Sequence, residues 1–257
     1  MEERRMPYRI AAVGALMALR TVTLAAAEPN SILASARAAA GIADRSYAGF
    51  IMESGSERAS GLSGRWSTVV DLATGKTRST SNFGIFSTAV VWNGHSYWRQ
   101  DASGGVHLID SDFMRAVHVT DAWLTQFGYL RRDALGAMLE PLEDRTADGR
   151  SFAVIRATPR QGQPVELWFD TDTKRLARAV QEMTIDVRTV RYDDYRRAQG
   201  LVLPFKITTD HGVDGDADVV QIERIEHTTT TAETFRRPRP PNDFVIAGFQ
   251  TCGAPTS

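Results

Sequence analysis

Between residues 47 and 228 the chain repeats one pattern: short runs that alternate apolar and polar residues, each closed by a turn signal. Side chains alternate across an extended strand, so each run offers one apolar face and one polar face. In residues 165–170, Val165, Leu167 and Phe169 share one side while Glu166, Trp168 and Asp170 share the other. In residues 201–208, Leu201, Leu203, Phe205 and Ile207 stand against Val202, Pro204, Lys206 and Thr208. Pro204 has no N–H for a ladder and predicts an edge strand or a bulge there. Turn signals stand at Asn93-Gly94, residues 103–105, Asp148-Gly149, Gln161-Gly162, Gln199-Gly200 and residues 212–215. Together they mark about a dozen strands joined as successive hairpins. That arrangement predicts one large antiparallel meander and excludes a βαβ crossover fold.

Two segments break the alternation. Asn30 or Ser31 can cap an Ala-rich helix over residues 32–40, ended by Gly41. Ser111 or Asp112 can cap a second, in which Phe113, Val117, Leu124 and Phe127 fall near one face and Gly128 occupies the C-cap position. An apolar stripe of this kind predicts a helix lying on the sheet.

The N-terminus reads as a secretory signal over residues 1–27: Arg4, Arg5 and Arg9 precede an apolar run over residues 10–19, and Ala25, Ala26 and Ala27 precede Glu28. Arg20 interrupts the apolar stretch. The alternative is an amphipathic first helix. A single antiparallel β domain with helices is expected over residues 28–235. Residues 236–257 then form an Arg/Pro-rich connector and flexible tail, opening Arg236-Arg237-Pro238-Arg239-Pro240-Pro241. A periplasmic or secreted location follows from the signal. No later run is long enough to span a bilayer as a helix. Cys252 is the lone cysteine, so stability must come from packing. With 30 basic and 31 acidic residues, no global field favours nucleic acid.

Catalytic and metal motifs fail on spacing. Gly75-Lys76-Thr77 ends like a phosphate-binding loop, but Val70 stands where its first glycine belongs. Asp214, Asp216 and Asp218 alternate as in a calcium loop, whose sixth position is here Val219 and twelfth Ile225. The five histidines show no i, i+4 pair, and no Gly-x-Ser-x-Gly is present. Asp170 with Asp172, and Asp193 with Asp194, are carboxylate pairs that turns explain equally well. No catalytic residue, metal ligand or cofactor is therefore expected.

Trp92, Trp98 and Trp168 lie in or beside predicted strands and serve either core packing or a ligand cavity. With Phe205 they form the expected ligand-binding set.

The run from Trp98 through Gly105 to Tyr129-Leu130 resembles the N-terminal accessory domain of bacterial exported proteins that carry a retropepsin-like aspartic peptidase domain. So do Glu166-Leu167-Trp168-Phe169-Asp170, Tyr192-Asp193-Asp194-Tyr195 and Leu203-Pro204-Phe205. The order of hairpins resembles the LolA/LolB-like periplasmic lipoprotein-carrier fold. That resemblance implies a mainly β, α+β architecture: a large curved sheet or half-barrel with helices packed on its concave side. The Asp-Thr/Ser-Gly turn of an aspartic peptidase is absent, since Asp101 is followed by Ala102, Ser103 and Gly104.

Three functions are open at this point. The first is a non-catalytic binding protein that shelters a lipid, an acyl chain or a lipidated protein. Burial at roughly 25 cal/mol per Å² makes one acyl chain worth several kcal/mol. The second is an interaction or folding module for a neighbouring envelope protein or peptidase domain, and the third an enzyme, an aspartic peptidase, using unassigned carboxylates. A spacious apolar cavity favours the first and a filled one the second.

Overall fold

The computed structural model describes residues 28–42, 49–212 and 216–239. The expected signal, residues 1–27, lies outside them, as do Asp214, Cys252 and the tail from Pro240.

Helix α1 (Pro29–Ala40) starts at Glu28 without a side-chain cap. Neither Asn30 nor Ser31 caps it, because Pro29 opens the first turn, where a missing N–H costs nothing. Gly41 ends it as expected, with φ of 77°. Six strands follow: β1 (Phe50–Ala59), β2 (Leu62–Asp71), β3 (Thr77–Asn82), β4 (Ser87–Trp92), β5 (Tyr97–Gln100) and β6 (Val106–Ile109). Helix α2 (Asp112–Thr125) then leads through 3-10 turns at Gly128–Leu130 and Arg132–Gly136 into β7 (Met138–Pro141), β8 (Arg145–Ala147) and β9 (Arg150–Thr158). The rest is β10 (Val165–Asp170), β11 (Leu176–Glu182), β12 (Val187–Ala198), β13 (Leu201–Asp210) and β14 (Asp218–Thr228).

Among the described residues, fourteen strands join one antiparallel sheet, in the order β6-β5-β4-β3-β2-β1-β14-β13-β12-β11-β10-β9-β7, with β8 paired to β9. Two meanders thus meet where β1 pairs β14. Helix α2 carries the chain from one edge, β6, to the other, β7. The sheet curves without closing.

The turns are built as their residues require. Asp148-Gly149 and Gln199-Gly200 both have two successive residues at positive φ, the geometry that matches strand twist in a two-residue hairpin. Between β4 and β5 the loop residues are Gly94 and His95, one place later than the Asn93-Gly94 signal. Asn93 closes that loop, its Oδ1 accepting from the N–H groups of His95 and Ser96.

Pro204 sits inside the sheet, in β13 between β12 and β14, not on an edge strand. Its missing N–H is tolerated because the β13–β14 ladder stops at Lys206, so this half of β13 has only β12 beside it.

The helices and the main cores share the concave face. Ile32, Leu33 and Ala36 of α1 pack with Trp123 of α2 and with Ile155, Leu167 and Phe169 of the sheet. Burying two such side chains as Ile32 and Leu33 is worth roughly 3–6 kcal/mol. A second cluster joins Ile51, Val70, Leu203, Phe205 and Ile222. A small third cluster of Phe152, Val154 and Ala177, with Trp168 against it, occupies the opposite face.

Residues expected as the start of a connector lie along the convex face. Phe235 stacks on Phe50 with centroids 6.2 Å apart. The Arg237 guanidinium sits 4.9 Å from the Trp98 ring centre, and Gln100 Nε2 donates to the Arg239 carbonyl at 2.9 Å.

Candidate functional site: a cavity beneath helix α2

A cavity of about 270 Å³ lies between α2 and the concave face. Its position follows from how α2 is held. Ser111 caps the helix, its Oγ accepting from Met114 N–H at 3.2 Å. Thr120 Oγ1 donates to the Gln163 carbonyl at 2.7 Å, and Gln163 N–H donates to Ala116 O at 3.1 Å, which ties α2 to the β9–β10 loop. At the far end Phe127, not Gly128, takes the left-handed conformation, with φ of 57°. Gly128 is required for another reason: a Cβ there would stand 2.3 Å from Nε1 of Trp123. That indole is buried and donates to the Ala134 carbonyl at 2.9 Å. The resulting corner turns Leu124, Phe127 and Tyr129 toward the cavity.

The opposite wall comes from the sheet: Trp66 and Thr68 of β2, Val190 and Tyr192 of β12, Leu203 and Ile207 of β13, and Ile222 of β14. Most of this lining is apolar. The Thr68 hydroxyl is engaged within the sheet, 2.8 Å from Ser79 Oγ and 3.3 Å from the Arg78 carbonyl.

Two charged features face the cavity. Asp121 of α2 pairs with Arg188 of β12, whose Nη1 donates to Oδ2 at 3.2 Å and Nη2 to Oδ1 and to Gln181 Oε1. Burial pushes the Asp121 carboxyl up, but the guanidinium and nearby His118 outweigh it and hold it below the ordinary range. Glu53 of β1 is the other. It stands opposite Ile225 and Thr68, and no described residue makes a hydrogen bond or ion pair with its carboxyl. Glu53 is half-buried, and the desolvation it undergoes there pushes its pKa up from 4.5 to about 7. Tyr129 and Tyr192 also line this space, and burial raises the pKa of both well above the usual phenol range, so they stay neutral.

The four aromatic residues expected to share a ligand face are not brought together. Trp92 lies under α2, buried, with its ring 6.2 Å from the His118 imidazole, which itself stacks on Tyr97 at 3.5 Å. Phe205 is buried in the core cluster that contains Leu203 and Ile222, with the Arg196 guanidinium 5.0 Å from its ring centre. Trp98 and Trp168 are on the convex side: one meets Arg237, the other packs on Phe152 with centroids 5.7 Å apart. The reason is parity, since Trp168 has the opposite parity to Leu167, and Trp98 pairs with Val91 while Trp92 pairs with Tyr97. The tryptophan that does line the cavity is Trp66.

Sequence reasoning missed Glu53, Trp66, Tyr129, Tyr192 and the Asp121–Arg188 pair. A signal existed for Glu53, which has the parity of the buried Ile51. No signal existed for the pair, whose members are 67 residues apart.

Asp101 caps the β5–β6 turn. Its Oδ1 accepts from Ser103 Oγ at 2.6 Å and from the Ser103 and Gly105 N–H groups, and Oδ2 meets His107 Nε2 at 2.8 Å. These bonds, that from the Ser103 hydroxyl first, hold its carboxyl well below the usual range. Among the described residues, no three His, Cys, Asp or Glu side chains gather as a metal ion needs, and no helix is long and apolar enough to cross a membrane.

No family model and no curated protein matches the sequence. Solved structures do match. A LolA superfamily protein from Nitrosomonas europaea superposes with a TM-score of 0.56 at 16% identity, over 82% of this chain and 99% of that one. The fold is LolA-like. A putative outer membrane lipoprotein-sorting protein domain from Vibrio parahaemolyticus gives a TM-score of 0.52 at 10% identity, over 80% of this chain and 96% of its own. A DUF1329 family protein from Desulfovibrio piger gives 0.51 at 13% identity, over 80% and 94%. At these identities the likeness concerns the LolA-like fold: an unclosed antiparallel sheet with helices on its concave side.

Proposed function

We propose that the protein is a non-catalytic binding protein of the cell envelope that holds a hydrophobic group, such as a lipid, an acyl chain or the acyl part of a lipidated protein, in the cavity beneath α2. The observation that supports this reading is the cavity itself. Leu124, Phe127, Leu203, Ile207 and Ile222 turn apolar surface toward a space that the protein's own side chains do not fill. A hollow of this size with a mostly apolar surface is the kind of space a hydrophobic group fills. The LolA-like fold, shared with a protein described as a lipoprotein-sorting domain, supports the same reading.

At about 270 Å³ the cavity is small for a long chain. A guest would enter by displacing α2, whose covering residues come from one helix and the turn after it. Native mass spectrometry of protein purified from the periplasm tests the proposal. A retained lipid mass is expected, together with a saturable change in tryptophan fluorescence and a raised melting temperature when long-chain lipid analogues are added. Flat fluorescence and melting through millimolar analogue, with the fold intact, would refute it and turn attention to an interaction module.

A further inference from the structure

The cavity contains one polar group that its own apolar character does not explain. The Glu53 carboxyl faces it with no cation or hydrogen-bond donor among the described residues. A half-buried carboxylate that is partly withdrawn from water and has no cation beside it is desolvated at a cost that a cationic guest would offset. The other titratable groups that face this space are Asp121 of α2, Arg188 and Tyr192 of β12, and Tyr129 after α2. Residues facing it from β2, β3, β13 and β14 carry no charge.

Arg188 does not serve Glu53, because Asp121 and Gln181 already take its Nη groups. Arg188 lines the cavity with its charge already balanced by Asp121, and its Nε is buried without a hydrogen-bond partner. The cavity therefore holds a balanced ion pair and one uncompensated acid. A guest carrying a carboxylate or phosphate would bring a second negative group to an apolar space. A guest carrying a cation would supply the missing partner.

Building on the binding function proposed above, we infer that the cavity selects an amphiphile with an apolar chain and a primary ammonium head, and that Glu53 is the residue that recognises the head. Tyr129 and Tyr192 line the same cavity and carry hydroxyl acceptors for the remaining N–H groups of such a head.

The test compares n-decylamine, n-decanol and n-decanoate, each below its aggregation concentration, by calorimetry and tryptophan fluorescence on the purified protein at pH 8. Decylamine is expected to bind roughly tenfold or more tighter than decanol, with decanoate weakest. Glu53→Gln should remove the amine's advantage and leave decanol affinity within about twofold. Proton release gives a measurement that needs no variant. Glu53 is mostly protonated at pH 6 when the cavity is empty and must ionise to meet an ammonium, so decylamine should release close to one proton there and decanol none. Equal binding of amine and alcohol, an amine preference that survives Glu53→Gln, or the absence of proton release would each overturn the inference and leave the binding reading standing. Failure of all three compounds to bind would overturn both.

Discussion

Glu53 is where chemistry and stability oppose each other in this molecule. Its folded-state pKa of about 7 lies above the ordinary 4.5, so between these values the folded state binds more protons than the unfolded state. Stability must therefore fall as pH rises through that window and level off above it, with a total loss of up to about 3 kcal/mol. Urea denaturation between pH 4.5 and 8 should show this decline in the wild type and a flatter profile in Glu53→Gln, which should also be the more stable protein at pH 8. A variant with the wild-type slope would mean that another group carries the titration. Gly128 is a second single-residue constraint. Its Cβ would collide with the buried Trp123 indole, so Gly128→Ala should cost about 1–3 kcal/mol, read as a lowered denaturation midpoint with unchanged m-value.

Helix α2 is the element on which the site depends. It is tied to the β9–β10 loop through Thr120 and Gln163 and to β12 through Asp121 and Arg188, and the cavity is the space left beneath it. Removing one member of a partly buried ion pair strands the other, which costs more than removing both. Asp121→Asn and Arg188→Met should each destabilise by about 2–3 kcal/mol, while the double variant should cost less than the sum of the two. Strict additivity in chemical denaturation would show that the pair does not act as a unit. Element β13 makes a related point: it accommodates Pro204 because its ladder to β14 ends at Lys206, which also opens the sheet beside the cavity-lining Leu203 and Pro204.

On the scale of the whole molecule, the two faces of the sheet have separate tasks. The concave face carries both helices, the two larger cores and the cavity; the convex face carries the Phe152 cluster and the segment from Phe235 to Arg239. Ligand response should follow that division. Trp66→Ala should weaken the fluorescence and affinity response to a bound amphiphile by roughly tenfold, as expected when one large apolar contact is lost. Trp98→Ala and Trp168→Ala should leave affinity within about twofold while lowering the melting temperature by a few degrees. A large affinity loss in Trp98→Ala would place the ligand on the convex face instead.

Much of the fold is local and was legible in the sequence. Alternation, paired turn residues and the Ser111 cap act over a few residues, so strands, hairpins and helices could be placed from them, and the order of hairpins resembled the LolA-like half-barrel that the structure has. Parity within one strand was legible too, for it separated Leu167 from Trp168. What alternation does not carry is which face of one strand continues which face of another many strands away. That register is set by the pairing of β1 with β14 and by the crossing of α2, contacts between residues far apart in the chain. Only the tertiary structure therefore decided that Trp92 and Trp168 part to opposite faces, that Arg188 is neutralised by Asp121, and that Glu53 faces the cavity without a cation, because burial and charge compensation are properties of neighbours that folding brings together.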